Sequence, residues 1–501
     1  MGASKTTDEA NPRAIIIGAG FAGLCLAYHF AKEGLDYCIL EKSYEVGGTW
    51  RENTYPGAAC DVPSISYCFS FAQKTDWTHK WSPQGEILDY MREFADEQGI
   101  REHIRFGCEV ATADFDEASG LWTVRTTDGD QLKATFLASG VGQLHRPSIP
   151  AIARREEFAG PAFHSARWDH DVDLSGKTVA VVGNAASAIQ FIPEIAKTAA
   201  RVKIFQRSAN WMMQRNDRAY TEREKEFLGR SPILTRLYRW RVWAAYESQF
   251  PLFAGVKMSQ AMYLRMAKGH LEEKISDPET RKLLTPDYPI GAKRILISDD
   301  YYDALNRKNV DLVAAGIERI TPGGLVTDNG DEHEADVIIF ATGFSTTEFL
   351  VPMKITGCNG LPLESVWKEG AEAYLGISIA GFPNFFMMYG PNTNLGHNSI
   401  IFMFECQVAY IMDCIRKTRA AGASWLDLSA AAQREYNRKL QQTLAGRIWS
   451  QVGSSWYKNA AGKITNNWSG STIEYWWRTR HADMKNYTLM KRNPLGVKDA
   501  F

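Results

Sequence analysis

No two of the eight cysteines (Cys25, Cys38, Cys60, Cys68, Cys108, Cys358, Cys406 and Cys414) stand at the C-x-x-C spacing of a zinc knuckle or a dithiol redox pair. Scattered singly, they read as buried free thiols in a reducing compartment. No window approaches the roughly 18 apolar residues of a membrane span, so no stable membrane insertion is expected. There is no polybasic block, and the formal charge is −1, which gives no sign of a nucleic-acid partner. Met1 to Arg13 is polar and lacks the apolar centre of a signal peptide. Gly2 with Thr6 fits the N-myristoylation pattern, but a pattern so short arises often by chance. The expected location is cytoplasmic. No constellation suggests a hydrolytic triad or a metal site.

What is present exceeds one small core. A chain of 501 residues suggests two or three domains. Ala14 to Ile17 reads as a short buried strand, and Gly18-Ala19-Gly20-Phe21-Ala22-Gly23 follows it directly. Leu24 to Lys32 reads as a helix, and Asp36 to Leu40 as a second strand ending in Glu41. Strand, G-x-G-x-x-G, helix, strand and acid together make a dinucleotide fingerprint in its full context. Gly18, Gly20 and Gly23 let the backbone approach a pyrophosphate, whose charge the helix N-terminus stabilises. Glu41 is placed to accept hydrogen bonds from ribose hydroxyls.

The pattern recurs. Thr178 to Val182 is a second buried strand, followed by Gly183-Asn184-Ala185-Ala186-Ser187-Ala188, a helix, and the strand Val202 to Gln206. Ala185 in place of the second glycine crowds the phosphate approach slightly, and Ala188 is within the tolerated pattern. The acid is replaced by Arg207, with Ser208 beside it. A guanidinium there suits the 2′-phosphate of NADPH, which a carboxylate would repel. Each unit continues into expected meander strands. These are Ile104 to Phe115, Leu121 to Thr126 and Leu132 to Ala138 after the first, and Val310 to Ile320, Leu325 to Thr327 and Ala335 to Phe340 after the second.

The expected fold is α/β, with two Rossmann-like dinucleotide-binding domains, for FAD and NADP, and a helical insertion in the NADP domain. Residues 1–150 and 345–501 form the discontinuous FAD domain, 151–210 and 290–344 the NADP domain, and 211–289 the helical subdomain. Leu237 to Trp243 within that subdomain is basic and aromatic, and reads first as an amphipathic helix packing on its neighbours. A substrate-access wall or a membrane-surface contact are the other readings. After the polar cluster Gly390 to Asn398, either Asn398 or Ser399 is placed to cap an apolar helix from Ile400 to about Ala420.

Two longer signatures lie between these units. The linker carries Phe158-x-Gly160-x-x-x-His164-x-x-x-Trp168-Asp169, and the first unit is followed by Gly47-Gly48-Thr49-Trp50, Tyr55-Pro56-Gly57 and Asp61. Both resemble the signatures of type I Baeyer–Villiger monooxygenases, and with the two nucleotide units the resemblance covers most of the chain. It implies an NADPH-dependent flavin monooxygenase. In that family a peroxyflavin formed from FAD and O₂ attacks a small-molecule ketone, giving an ester or lactone. Lys293-Arg294, upstream of Tyr301-Tyr302 and Asn306-Arg307, resembles the family's Lys-Arg pair. The resemblance makes Arg294 the catalytic cation, Asp61 its acidic partner and Lys293 a ligand of the 2′-phosphate.

An arginine suits this chemistry because it stays protonated near developing oxyanions. The resemblance further implies FAD contacts at Thr49, Trp50, Asp61, Tyr67 and Val110, the last through its backbone. NADP contacts are implied at Gly183, Asn184, Ser187, Ala188, Arg207, Ser208 and Trp456, where a buried structural tryptophan is an equal alternative. His164 becomes a linker residue coupling domain movement. A related sulfur- or nitrogen-oxidising flavin enzyme is the alternative activity. A disulfide reductase is disfavoured by the missing C-x-x-C, and a non-catalytic flavoprotein by Arg294.

Overall fold

The structure, a computed structural model, describes residues 13–491. The polar N-terminal stretch and its Gly2/Thr6 pattern therefore lie outside the described residues. Two parallel five-stranded sheets organise the chain. The first runs Phe385–Met387, Phe136–Ser139, Ala14–Ile17, Tyr37–Glu41, Ile104–Phe106 across the sheet. The second runs Val310–Val313, Arg201–Phe205, Thr178–Val182, Val337–Phe340, Ala162–His164. Each fingerprint strand is central and lies between the strand that follows it and a strand that returns much later. The glycine loop after it thus opens at the point where strand order reverses, which is where open α/β sheets bind ligands.

Side chains of these strands alternate between two faces, as a pleated strand requires. Ile16 joins the core beneath the helices Phe21–Lys32 and Ile400–Ala420, while Ile15 and Ile17 join the core beneath a four-stranded sheet of Lys354–Thr356, Val110–Asp116, Leu121–Thr126 and Gln131–Ala134, antiparallel except for its first pair. In the second lobe Val179 and Val181 pack under the helix Ala188–Ile195, and Ala180 and Val182 under the three-stranded meander. Both faces of each parallel sheet are therefore dry, which explains the continuous apolar runs that identify these strands in the sequence.

The meanders divide differently from expectation. Ile104 to Phe115 splits into Ile104–Phe106, in the parallel sheet, and Val110–Asp116, in the antiparallel one, with Gly107 at φ +71° between them. Leu132 to Ala138 likewise splits into Gln131–Ala134 and Phe136–Ser139. In the second lobe Val310 to Ile320 divides at the corresponding place, into Val310–Val313 and Ile317–Thr321, whereas Ala335 to Phe340 stays one strand, Val337–Phe340, with the meander strand Glu332–Glu334 ahead of it. The chain hands each divided run from one sheet to the other at a bend.

The segment between the lobes' second and third strands is helical, as expected: Glu222–Gly229, Pro232–Glu247, Phe250–Phe253, Lys257–Lys274 and Pro278–Leu283. A short parallel pair, Met212–Met213 with Leu296–Ile297, closes its base. No helix among the described residues is long and apolar enough to cross a membrane. Among the described residues no disulfide joins any of the eight cysteines, but Cys108 and Cys358 are half-buried rather than buried, a correction to the sequence reading.

Candidate active site

A cavity of about 340 Å³ opens at the switch point of the first sheet. Gly18 and Gly20 form its floor; Gly18 excludes a side chain, whereas a Cβ on Gly20 would meet only the Gly48 Cα, at an ordinary 3.7 Å. Gly18 has φ +98°, and a Cβ there would meet the Gly140 carbonyl oxygen at 3.1 Å. Gly23 does not line the cavity; a Cβ on it would strike the carbonyl of Gly18, so it lets the helix close onto the strand. Glu41 is buried at the end of its strand, accepting the amide of Ala19 at 2.7 Å and that of Ser43 at 3.0 Å. Its carboxylate is thereby held at the cavity wall.

The signature Gly47-Gly48-Thr49-Trp50 turns into the short helix Thr49–Glu52 over this cavity. Trp50 donates its indole Nε1–H to the Tyr67 hydroxyl at 3.2 Å, and their rings meet edge to face at 5.5 Å. Thr49, Trp50 and Tyr67 all line the wall, and Val110 completes it from the start of its strand. The opposite wall escaped the sequence reading. It comprises Gln143, His145 and Tyr389; the start of the helix Ile400–Ala420, which the sequence did place at the flavin, lies with them. Gln143 donates to the carbonyl of Tyr389 at 2.9 Å, yet its Oε1 is buried without a partner, as is His145 Nδ1. Burial, then Lys42 and Arg146, lower the His145 pKa to about 4. The available signal was topological: Gln143 closely follows the strand beside the fingerprint, where ligands of such sheets lie. Ser399 caps the helix, accepting the Ile401 amide at 3.3 Å, and Asn398 in turn accepts the Ser399 amide.

Glycine backbone under a helix N-terminus, a ribose-facing acid, aromatic walls and buried unpartnered acceptors fit a flavin dinucleotide. Gln143 Oε1 and His145 Nδ1 are the sharpest part of that fit, because no group among the described residues hydrogen-bonds them.

The second loop has a comparable cradle. Gly183 has φ +107°, and a Cβ there would meet the Ala341 carbonyl at 2.5 Å. Asn184 spends its side chain inside the loop, donating to Gln206 Oε1 at 2.7 Å and accepting from Asn210 at 3.1 Å. Ser187 precedes the helix that starts at Ala188, and shares a hydrogen bond with the buried Tyr55 phenol. Arg207 and Ser208 are exposed at the strand end. The Lys293 ammonium lies 4.5 Å from the centre of the Tyr288 ring, whose hydroxyl donates to Ala209 at 3.1 Å. It therefore faces the same loop.

Neighbouring Arg294 points elsewhere and pairs with Asp61. Both side chains keep 37% of their surface exposed. Neither lines the first cavity, but the Arg294 charge reaches Tyr389, which does. Burial raises the Tyr389 phenol's pKa and Arg294 opposes it; the Tyr457 phenol behaves alike. Cys60, beside Asp61, is pushed up to about 12 by burial, against the charges of Arg294 and Arg215.

The two long signatures meet. Glu52 takes ion pairs from Arg51 and from linker residue Arg167, and Thr54 shares a hydrogen bond with His170 at 2.8 Å. Trp168 packs between Phe163 and Phe191, each at 5.3 Å. Burial lowers the His164 pKa to about 4, and its Nδ1 accepts the Ala166 amide at 3.1 Å. Trp456 is half-buried against Tyr457, and its carbonyl accepts the Thr346 hydroxyl at 2.7 Å.

A model of the flavin-binding monooxygenase-like family matches residues 11–236. A Baeyer–Villiger monooxygenase of Streptomyces coelicolor is 41% identical over 488 residues, covering 97% of this chain and 94% of that one. A steroid monooxygenase bound to NADP superposes with a TM-score of 0.86 at 30% identity, over 96% of this chain and 99% of its own. The complex of OTEMO with FAD and NADP gives 0.85 at 26% identity, covering 95% and 99%. The likeness runs through both sheets and the helices between them, and so this chain is a member of the Baeyer–Villiger monooxygenase family, an α/β flavoprotein of two dinucleotide-binding lobes.

Proposed function

We propose that the chain uses NADPH and O₂ to convert a ketone into an ester or lactone, with Arg294 as the catalytic cation and Asp61 as its partner. The pairing of those two side chains is the observation that carries the reading. When bound, FAD reduced by NADPH supplies the activated oxygen. The protein's part is electrostatic and positional. Arg294 would lay its positive charge where negative charge develops on the ketone oxygen. Asp61 only accepts hydrogen bonds when ionised, so it holds the guanidinium in one orientation.

In this reading residues 1–150 and 345–501 hold FAD, and 151–210 with 290–344 hold NADPH. The helical 211–289 lies beside them. Gly18, Gly20, Glu41, Thr49, Trp50, Tyr67 and Val110 hold the flavin dinucleotide, and Gly23 shapes its cradle. Gln143 and His145 offer it free acceptors, which the sequence alone did not single out. Gly183, Ser187 and Ala188 hold the NADPH pyrophosphate, with Asn184 stiffening their loop. Arg207, Ser208 and Lys293 converge on its 2′-phosphate. The closeness of Lys293 and Tyr288 to that loop supports the assignment. Trp456 closes over the cofactor from the C-terminal segment.

The test is product analysis by mass spectrometry with purified yellow protein, NADPH and ¹⁸O₂, across linear, cyclic and aryl ketones. One labelled oxygen in an ester or lactone is expected. NADPH consumption that yields only hydrogen peroxide across the whole panel would overturn the reading.

A further inference from the structure

We propose that the outer face of the helical segment docks on an anionic lipid bilayer. The helix Pro232–Glu247 buries Thr235 and Arg239 and turns Ile233, Leu237 and Trp240 outward, at i, i+4 and i+7. Ile233 is 70% exposed and Trp240 66% exposed. The helix Lys257–Lys274 repeats the arrangement with Met258, Met262 and Met266, spaced one turn apart, Met258 being 82% exposed. Exposed apolar residues scattered singly are ordinary, but stripes along helices mark an interaction surface.

The charges around the stripes name the partner. From Arg230 to His270 the chain carries seven lysines and arginines and a single acid, Glu247, before the exposed Glu272 and Glu273 near the end of the second helix. Glu247 is buried against His397, with 10% of its side chain exposed. Arg239 is also buried, its guanidinium donating to the carbonyls of Ile65 at 2.8 Å and Cys68 at 2.9 Å. This anchors the helix to the first lobe. Arg236, Arg241, Lys257, Arg265 and Lys268 remain exposed, and no ion pair engages them among the described residues. Apolar stripes with tryptophan, flanked by unpaired cations, are the pattern of a helix lying in a bilayer interface. The helix Thr472–Thr479 begins against Glu247, whose carboxylate accepts the Thr472 amide at 2.9 Å. It carries the exposed Ile473 and Trp476.

A second copy of this chain fits the same face poorly. A two-fold interface sets a patch against itself, and here it would bring cation against cation. A bilayer with anionic headgroups supplies negative charge at the depth of the arginines and hydrocarbon at the depth of the apolar side chains.

The experiment is flotation of the full-length, flavin-loaded protein with vesicles. One set is phosphatidylcholine alone, and the other is phosphatidylcholine mixed with phosphatidylglycerol. The protein floats with the mixed vesicles, and raised salt releases it. Arg236→Gln with Arg241→Gln weakens binding roughly thirtyfold, about fivefold per charge. Leu237→Ser with Trp240→Ser weakens it at least about tenfold. Both variants keep their bound flavin absorbance, which reports an intact fold. The proposal is overturned if the mixed vesicles bind no protein, or if neither double variant changes binding. It is also overturned if light scattering finds a dimer that Leu237→Ser with Trp240→Ser converts to monomer.

Discussion

The guanidinium of Arg294, on the segment that re-enters the second lobe, donates to the carboxylate of Asp61, which follows the Tyr55-Pro56-Gly57 loop of the first lobe. The pair spans 233 positions of sequence and joins parts of the chain that bind different dinucleotides in the proposed function. Removing the cation should separate the two halves of the reaction. Arg294→Ala is expected to retain FAD and to oxidise NADPH, while ester formation falls by at least about 10²-fold. Stopped-flow reduction of the flavin alongside product quantification reads both. Near-normal ester yield from the variant sinks the assignment.

Arg207 stands exposed at the end of its strand with Ser208 beside it, and Lys293 faces the same loop. A charged hydrogen bond to a phosphate contributes about 1.5–3 kcal/mol. Arg207→Ala should therefore raise the KM for NADPH roughly tenfold to a hundredfold and leave that for NADH nearly unchanged. Equal losses with the two coenzymes remove the 2′-phosphate role.

Gly57 has φ +77°, and a Cβ there would meet the Gln190 carbonyl oxygen at 2.6 Å. Gln190 also accepts the Tyr55 hydroxyl at 2.9 Å and donates to Ala59 at 2.9 Å, so this loop is pressed onto the helix of the second lobe. Gly57→Ala combines backbone strain with a clash, and a loss of about 1–3 kcal/mol is expected. A melting temperature equal to that of the parent protein contradicts this.

Glu247 ties the helical segment to the flavin lobe, accepting from Thr472 and Asn398 and pairing with His397 at 3.3 Å. Burial alone would raise its pKa, but His397 and Thr472 prevail and lower it to about 2. A depressed carboxyl contributes stability above its unfolded pKa, near 4.3, and loses it as pH falls through the folded value. The melting temperature of Glu247→Gln should lie below that of the parent at pH 7, and the gap should narrow as pH falls from about 4 toward 2. A gap that does not change with pH contradicts the mechanism.

The fingerprints were legible because their information is local. A buried parallel strand is an unbroken apolar run, a phosphate loop needs glycine at fixed offsets, and the acid or arginine closing each unit follows within one strand and helix. Gly18, Gly20, Glu41 and Arg207 were therefore named from spacing alone, and the family signatures supplied Thr49, Trp50 and Tyr67. The meander strands were misdivided because hydrophobicity does not say which sheet a strand joins. Gln131–Ala134 alternates exposed and buried residues while Phe136–Ser139 is buried throughout, and the pairing partners fix the boundary between them.

The sequence by itself determined two dinucleotide loops, the charge at each strand end and the helical segment between, because each is written in neighbouring residues. Tertiary structure decided that Gln143 and His145 line the first cavity with buried, unpartnered polar atoms, that Arg294 and Lys293 diverge, and that Glu247 meets His397. Those relations join side chains distant in sequence, and their direction follows from which faces the folded lobes bury against one another.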